Sequence, residues 1–147
     1  MAGLDHPVGY VAQSQPMSCW AASAAMMMGT TEAVILEQFK DFGADGADEP
    51  ECKKLAERLQ MNILAEACRT ADGWWQILGR GPVMVGIPNH FIVVGGIYTD
   101  DAGNSQVHVY DPARGEYWAT METVESGYDD DWDLSSAWLQ RRAQPPR

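Results

Sequence analysis

Cys19 is where a nucleophile would sit in this chain. The loop Gln13-Ser14-Gln15-Pro16-Met17-Ser18 runs into Cys19 and then into the Ala- and Met-rich stretch Trp20 to Met28. High helix propensity there puts the thiol at or near a helix N-terminus. Unpaired backbone N–H groups and the positive end of the helix dipole favour thiolate over thiol, and the thiolate is the nucleophile. Attack on a carbonyl then needs a base, a group to orient the base, and donors for the oxyanion.

With three histidines, the search for a base is short. His6 lies in an N-terminus expected to fray. His108 is inside Val107-His108-Val109-Tyr110, and His90 opens the apolar run Phe91 to Val94. Alternation along a strand places Val107, Val109 and Asp111 on one face. If residues 107–111 pair with 90–98 through the hairpin loop at 99–105, Asp111 at the end of one strand meets His90 at the start of the other. Cys19, His90 and Asp111 then supply nucleophile, base and orienting carboxylate. The Cys19 N–H and a side-chain amide from Gln13 or Gln15 are the candidate oxyanion donors. Singly, each residue has a plainer explanation: a cysteine before an Ala-rich helix is usually core, and Asp111-Pro112 opens a turn. Their joint order is what singles them out.

The elements that must position these residues change character along the chain. Residues 1–12 read as extended, and residues 19–28 as a helix buried on most sides. Thr30-Thr31-Glu32 caps a second helix running to about Phe42, and 43–50 is an acidic, Gly-rich loop. Cys52, Leu55, Ala56 and Leu59 mark a third helix. Met61 to Leu64 is a short extended piece, and a helix capped by Asp72 runs to Leu78. After Pro82 the pattern becomes β, with strands at 83–87, 91–94, 107–110 and 115–121. The tail from Gly127 carries Trp132 and Trp138, expected to pack back on the domain. Helices first and an antiparallel sheet afterwards make an α+β fold.

The chain has 147 residues, 46% of them hydrophobic, enough for one domain spanning 1–147 with a disordered tail from about residue 140. A net charge of −11 argues against nucleic acid or an anionic membrane as partner. Cys19, Cys52 and Cys68 lack metal-ligand spacing, so neither metal nor cofactor is expected. Their odd number leaves at least one thiol free, and reduced Cys52 and Cys68 are the preferred reading over a pair. The N-terminus lacks the basic and apolar regions of a signal peptide, and no segment approaches the ~18 apolar residues of a membrane span. The expectation is a soluble chain.

Gln13, then Cys19-Trp20-Ala21, then His90 opening an apolar strand, then Asp111-Pro112 after a hairpin resembles the papain-like cysteine peptidases. The closest likeness is to compact bacterial branches, the AvrRpt2-type effector peptidases and the C39-like peptidases. Gly81-Pro82-Val83-Met84-Val85 also resembles the Gly-Pro-containing strand of these small enzymes. The resemblance covers roughly residues 10–28 and 80–113. It implies a papain-like fold, Cys19, His90 and Asp111 as the triad, and Gln13 rather than Gln15 as oxyanion donor. Pro16-Met17-Ser18 departs from the papain motif, which has a further cysteine and a glycine there. The Asp-Cys-Gly core of C39 leader peptidases is absent, and the histidine follows the cysteine sooner than in papain.

The implied function is a cysteine endopeptidase working through a thioester on a protein substrate, with a Gly-Gly segment as candidate cleavage signal. Separately, the acidic loops at 43–50 and 99–105 point to a basic motif near the cut. The resemblance also implies a bacterial effector or toxin domain, delivered by a specialised secretion system into a target cell's cytoplasm. A producing cell would then need a cognate immunity or inhibitor protein. Glutamine deamidation or acyl transfer by the same triad is the alternative chemistry. A catalytically silent peptide-binding module is the alternative outside enzymology.

Overall fold

The computed structural model describes residues 2–42, 49–64, 70–87, 90–126 and 138–142. In chain order the elements are β1 (Ala2–Asp5), α1 (Cys19–Met28), α2 (Glu32–Gln38), α3 (Glu49–Arg58), β2 (Met61–Ile63) and α4 (Ala71–Leu78). Then come β3 (Val83–Ile87), β4 (His90–Thr99), β5 (Ser105–Asp111), β6 (Gly115–Thr120), α5 (Met121–Ser126) and β7 (Trp138–Arg141). Among the described residues the strands form one antiparallel sheet in the order β2-β7-β3-β4-β5-β6, with β1 on β4. Cys68 and Trp132 lie outside the described residues, as does most of the loop expected at 43–50.

The sheet is covered on both faces. On one, α1 lays Trp20, Ala21, Ala24 and Met27 against Phe91, Val93 and Tyr110, with Ile35, Phe39 and Leu55 behind. On the other, Trp74 and Leu78 of α4 pack on Val83, Val85, Ile92, Val94, Val107 and Val109. Alternate residues of β4 and β5 therefore feed two cores, which is why both strands read as continuous apolar runs. Because α1 is sandwiched between the sheet and α2, it is apolar nearly all round, as the sequence predicts. Among the described residues no single helix is long and apolar enough to cross a membrane.

Several boundaries differ from expectation for physical reasons. Helix α2 ends at Gln38 rather than near Phe42, because the chain turns so that Phe39 and Phe42 both meet Trp20, at 6.2 and 5.0 Å between ring centroids. Arg58 of α3 lies over the Phe39 ring at 5.1 Å and holds Asp41 through two hydrogen bonds of 2.9 and 2.8 Å. The cap of α4 is Thr70, whose hydroxyl accepts from the Gly73 N–H at 3.1 Å; Asp72 sits instead in the first turn, where its charge favours the helix dipole. Residues 121–126 continue as α5 where the strand was expected to end.

The tail holds the largest departure. Gln140 and Arg141, placed by the sequence reading at the onset of disorder, belong to β7, which lies between β2 and β3. Gln140 is buried, and its Nε2 donates to the carbonyls of Ile77 at 2.7 Å and Gly81 at 2.9 Å. It thereby adds a second donor to the Ile77 carbonyl, which already accepts from the Arg80 N–H at 3.1 Å, and ties β7 to the end of α4 and the turn after it. Residues 143–147 lie outside the described residues.

Candidate active site

The register of the β4–β5 hairpin brings the distant residues together. Val93 pairs with Tyr110, so His90 at the beginning of β4 and Asp111 at the end of β5 share one edge of the sheet. His90 Nε2 lies 2.8 Å from Asp111 Oδ1. The same imidazole hydrogen-bonds with Cys19, and since Nε2 faces the carboxylate, Nδ1 is left for the sulfur. Cys19 occupies the first position of α1 and is buried, as is Ser18 before it. The expected meeting of Cys19, His90 and Asp111 is thus a geometric fact of the fold.

The electrostatics follow from the contacts. Burial opposes charge on His90, but hydrogen bonds to Asp111 and Cys19 and the attraction of both outweigh it, raising the ring's pKa from 6.5 to about 9. Burial likewise works against ionised Asp111, yet the hydrogen bond from His90 and the Ala113 N–H at 2.9 Å win, and its pKa is lowered. The Asp111 side chain is fully enclosed, and its Oδ2 has no hydrogen-bond partner among the described residues. All its polar contacts fall on Oδ1, so it holds His90 through one defined direction.

The turn after Asp111 is braced from the N-terminal side. The Tyr10 hydroxyl donates to the Asp111 carbonyl at 2.7 Å, and the Gln13 N–H to the Pro112 carbonyl at 3.0 Å. Arg114 N–H returns to the Asp111 carbonyl at 3.1 Å, and Gly115 leaves the turn at φ +103, a conformation that side chains strongly disfavour. His6, expected to fray, is also tied down, its N–H donating to the Gly95 carbonyl at 2.9 Å.

Gln13 is beside the site but occupied. Its Nε2 gives hydrogen bonds to the carbonyls of Gln15 at 2.9 Å and Pro16 at 3.1 Å, which uses both hydrogens of the amide. Gln15 enters the same loop through its backbone, with its N–H on Ser18 Oγ at 3.1 Å.

Two participants were not singled out from the sequence. Glu32, read there as part of a helix cap, is buried and accepts from Ser14 N–H at 3.0 Å, from Ser18 Oγ at 3.1 Å and from the Ser14 hydroxyl. It fixes the loop that delivers Cys19. Tyr10 is the other, holding the Asp111 turn. Neither carries a sequence signal, because an acid in the first turn of a helix is ordinary and Tyr10 reaches a residue 101 positions away.

A papain-like cysteine peptidase is the class this arrangement defines. The chain shares its fold with a crystal structure of a double glycine motif protease from an AMS/PCAT transporter, solved in complex with the leader peptide. The match has a TM-score of 0.53 and 20% identity over 92% of this chain and 91% of that one. A sequence model of the papain-like cysteine protease AvrRpt2 matches residues 1–129, and the chain belongs to that family. No curated protein matches it in sequence.

Proposed function

We propose that the chain hydrolyses peptide bonds of a protein substrate with Cys19 as nucleophile, His90 as proton carrier and Asp111 as the group that orients His90. His90 takes the Cys19 proton on Nδ1, and the sulfur adds to the substrate carbonyl carbon. The resulting oxyanion is met by the Cys19 N–H, one of the donors that a helix start leaves unpaired. For Gln13 to be the second donor, one of its hydrogens must exchange the Gln15 or Pro16 carbonyl for the oxyanion. The imidazolium passes its proton to the departing amine, the C–N bond breaks, and a thioester remains. His90 then deprotonates a water that adds to the thioester, and collapse of that intermediate expels the Cys19 sulfur, which regains its proton.

The observation that carries the reading is the His90 ring, bonded to Asp111 Oδ1 at 2.8 Å on one side and to the Cys19 thiol on the other. The reading extends to an effector or toxin acting inside a target cell, with a cognate inhibitor in the producer and a Gly-Gly segment as candidate cleavage signal. Support comes from family membership and from the leader-bound double glycine protease of the same fold.

The test is expression of wild type and Cys19→Ala in bacterial cells, followed by sequencing of all protein N-termini by mass spectrometry. New N-termini with the wild type alone are expected. Identical N-termini, with the folded wild type adding about one mass unit to target glutamines, would replace proteolysis by deamidation, in which OH takes the place of NH₂.

A further inference from the structure

Beside the reaction centre lies an open groove of about 490 Å³, walled by residues 12–16 on one side and 112–115 on the other, with Tyr10 contributing. Its two walls are the loop that delivers Cys19 and the turn that follows Asp111, and the hydrogen bonds from Tyr10 and Gln13 tie them together. Of all the residues lining the groove, Arg114 alone is charged. The rest are small, amide, hydroxyl or proline residues.

Arg114 is exposed, and none of its neighbours in sequence consumes its charge. Asp111 is engaged by His90 through Oδ1, and Glu116 by His108 at 2.6 Å. Among the described residues the guanidinium has no ionic partner within salt-bridge distance. Its backbone, by contrast, is fixed by the turn hydrogen bond to Asp111. A guanidinium so placed, in a chain of net charge −11, offers a planar fork that matches a carboxylate with two parallel hydrogen bonds.

We infer that this groove holds the substrate chain next to the scissile bond and that Arg114 selects an Asp or Glu side chain there. The inference rests on the peptidase reading above. The competing role for Arg114 is purely internal: its charge helps keep Asp111 ionised. That role would affect all substrates alike, whereas selection changes their ranking.

A peptide library made by digesting a bacterial proteome with chymotrypsin separates the two. Incubated with wild type, Arg114→Ala and Arg114→Glu, it is read by mass spectrometry for new termini. Asp and Glu should be enriched several-fold at one position near the bond cut by wild type. Arg114→Ala should lose that enrichment, and Arg114→Glu should replace it with Lys and Arg. Unchanged residue preferences with a uniform fall in rate would overturn the inference while leaving the peptidase intact.

The same library is passed over immobilised Cys19→Ala and Cys19→Ala/Arg114→Glu, which need no turnover. Retention of acidic peptides by the first and basic ones by the second supports the groove even if wild type cuts nothing, an outcome that would sink the peptidase reading alone. Equal retention, or none, on both columns overturns the groove's selectivity.

Discussion

His90 stands at the start of β4 with Asp111 on Nε2 and the Cys19 thiol as its second partner, whereas His108, inside β5, has carboxylates on both nitrogens. Asp5 of β1 lies 2.8 Å from His108 Nδ1, and Glu116 of β6 lies 2.6 Å from Nε2. His108 is stacked on Trp118 at 4.5 Å and lies at the same distance from the Tyr110 ring. The carboxylates also act on Tyr110, where burial first, then Asp5 and Glu116, push the hydroxyl up to about 12. A histidine clasped by acids on both nitrogens fastens three strands and has no nitrogen to spare for a reacting group. One acid and one thiol suit the other histidine to the proton-carrying role proposed for it. Residue type alone does not distinguish them; the second partner does.

The sharpest way to break this contrast is to remove each ring in turn. His90→Ala should lower kcat/KM by about 10³-fold or more, in line with losses seen for members of such triads. His108→Gln should leave kcat/KM of the folded protein within a few-fold of wild type. Comparable losses from both, measured on one peptide substrate with circular dichroism confirming the fold, would abolish the distinction.

Asp111→Asn should cost about 10²-fold or more and should also move the pH profile. In the proposed mechanism a protonated His90 releases the amine, so wild-type activity should fall as pH rises through about 9. Without the carboxylate the alkaline limb moves down toward the ordinary histidine value of 6.5. Stability follows the same signs. The raised pKa of His90 makes its contribution full below 6.5 and lost as pH rises through about 9. The lowered pKa of Asp111 makes its contribution full above 3.8 and lost as pH falls through its depressed value. A limb that stays near pH 9 in Asp111→Asn would show that another group sets it.

The smallest effect belongs to the clasp around His108. Asp5 and Glu116 are about half exposed, which screens their attraction. Loss of the paired contacts in His108→Gln should therefore destabilise by about 1 kcal/mol, a fall in Tm of about 2–4 °C. Thermal unfolding of His108→Gln and Asp5→Asn measures this directly, and a double mutant no less stable than either single one would show that the two act through the same contact.

The parts of the site set by local rules were legible in the sequence. Cys19 begins a helix because an Ala- and Met-rich run follows a polar loop, and the hairpin loop at 99–105 pairs β4 with β5. The one-residue register shift between Val94 and Gly96, which lies between that loop and the pair His90 and Asp111, was not legible. Contacts made across the fold were not legible. Strand β7 is four residues long, contains a polar Gln140, and finds its partners in β2 and β3 far back in the chain. Nothing in its periodicity distinguishes it from a tail. Gly96 belongs to the same class: a Cβ there would come within 2.7 Å of the Leu4 carbonyl, so it is the absence of a side chain that lets β1 approach β4. Glu32 opens α2 as the sequence predicts, but only packing turns its carboxylate inward onto Ser14 and Ser18.

The hydrogen bond from Tyr10 to the Asp111 carbonyl also has a meaning in time. It spans 101 positions, and the Asp5–His108 contact spans 103, so both belong to the slow, high-contact-order part of folding. During synthesis Cys19 emerges before its partners, and His90 and Asp111 follow it 71 and 92 residues later. On the proposed mechanism the thiol lacks its proton carrier until the sheet closes around those late arrivals, so the nascent chain would leave the ribosome and its chaperones uncut.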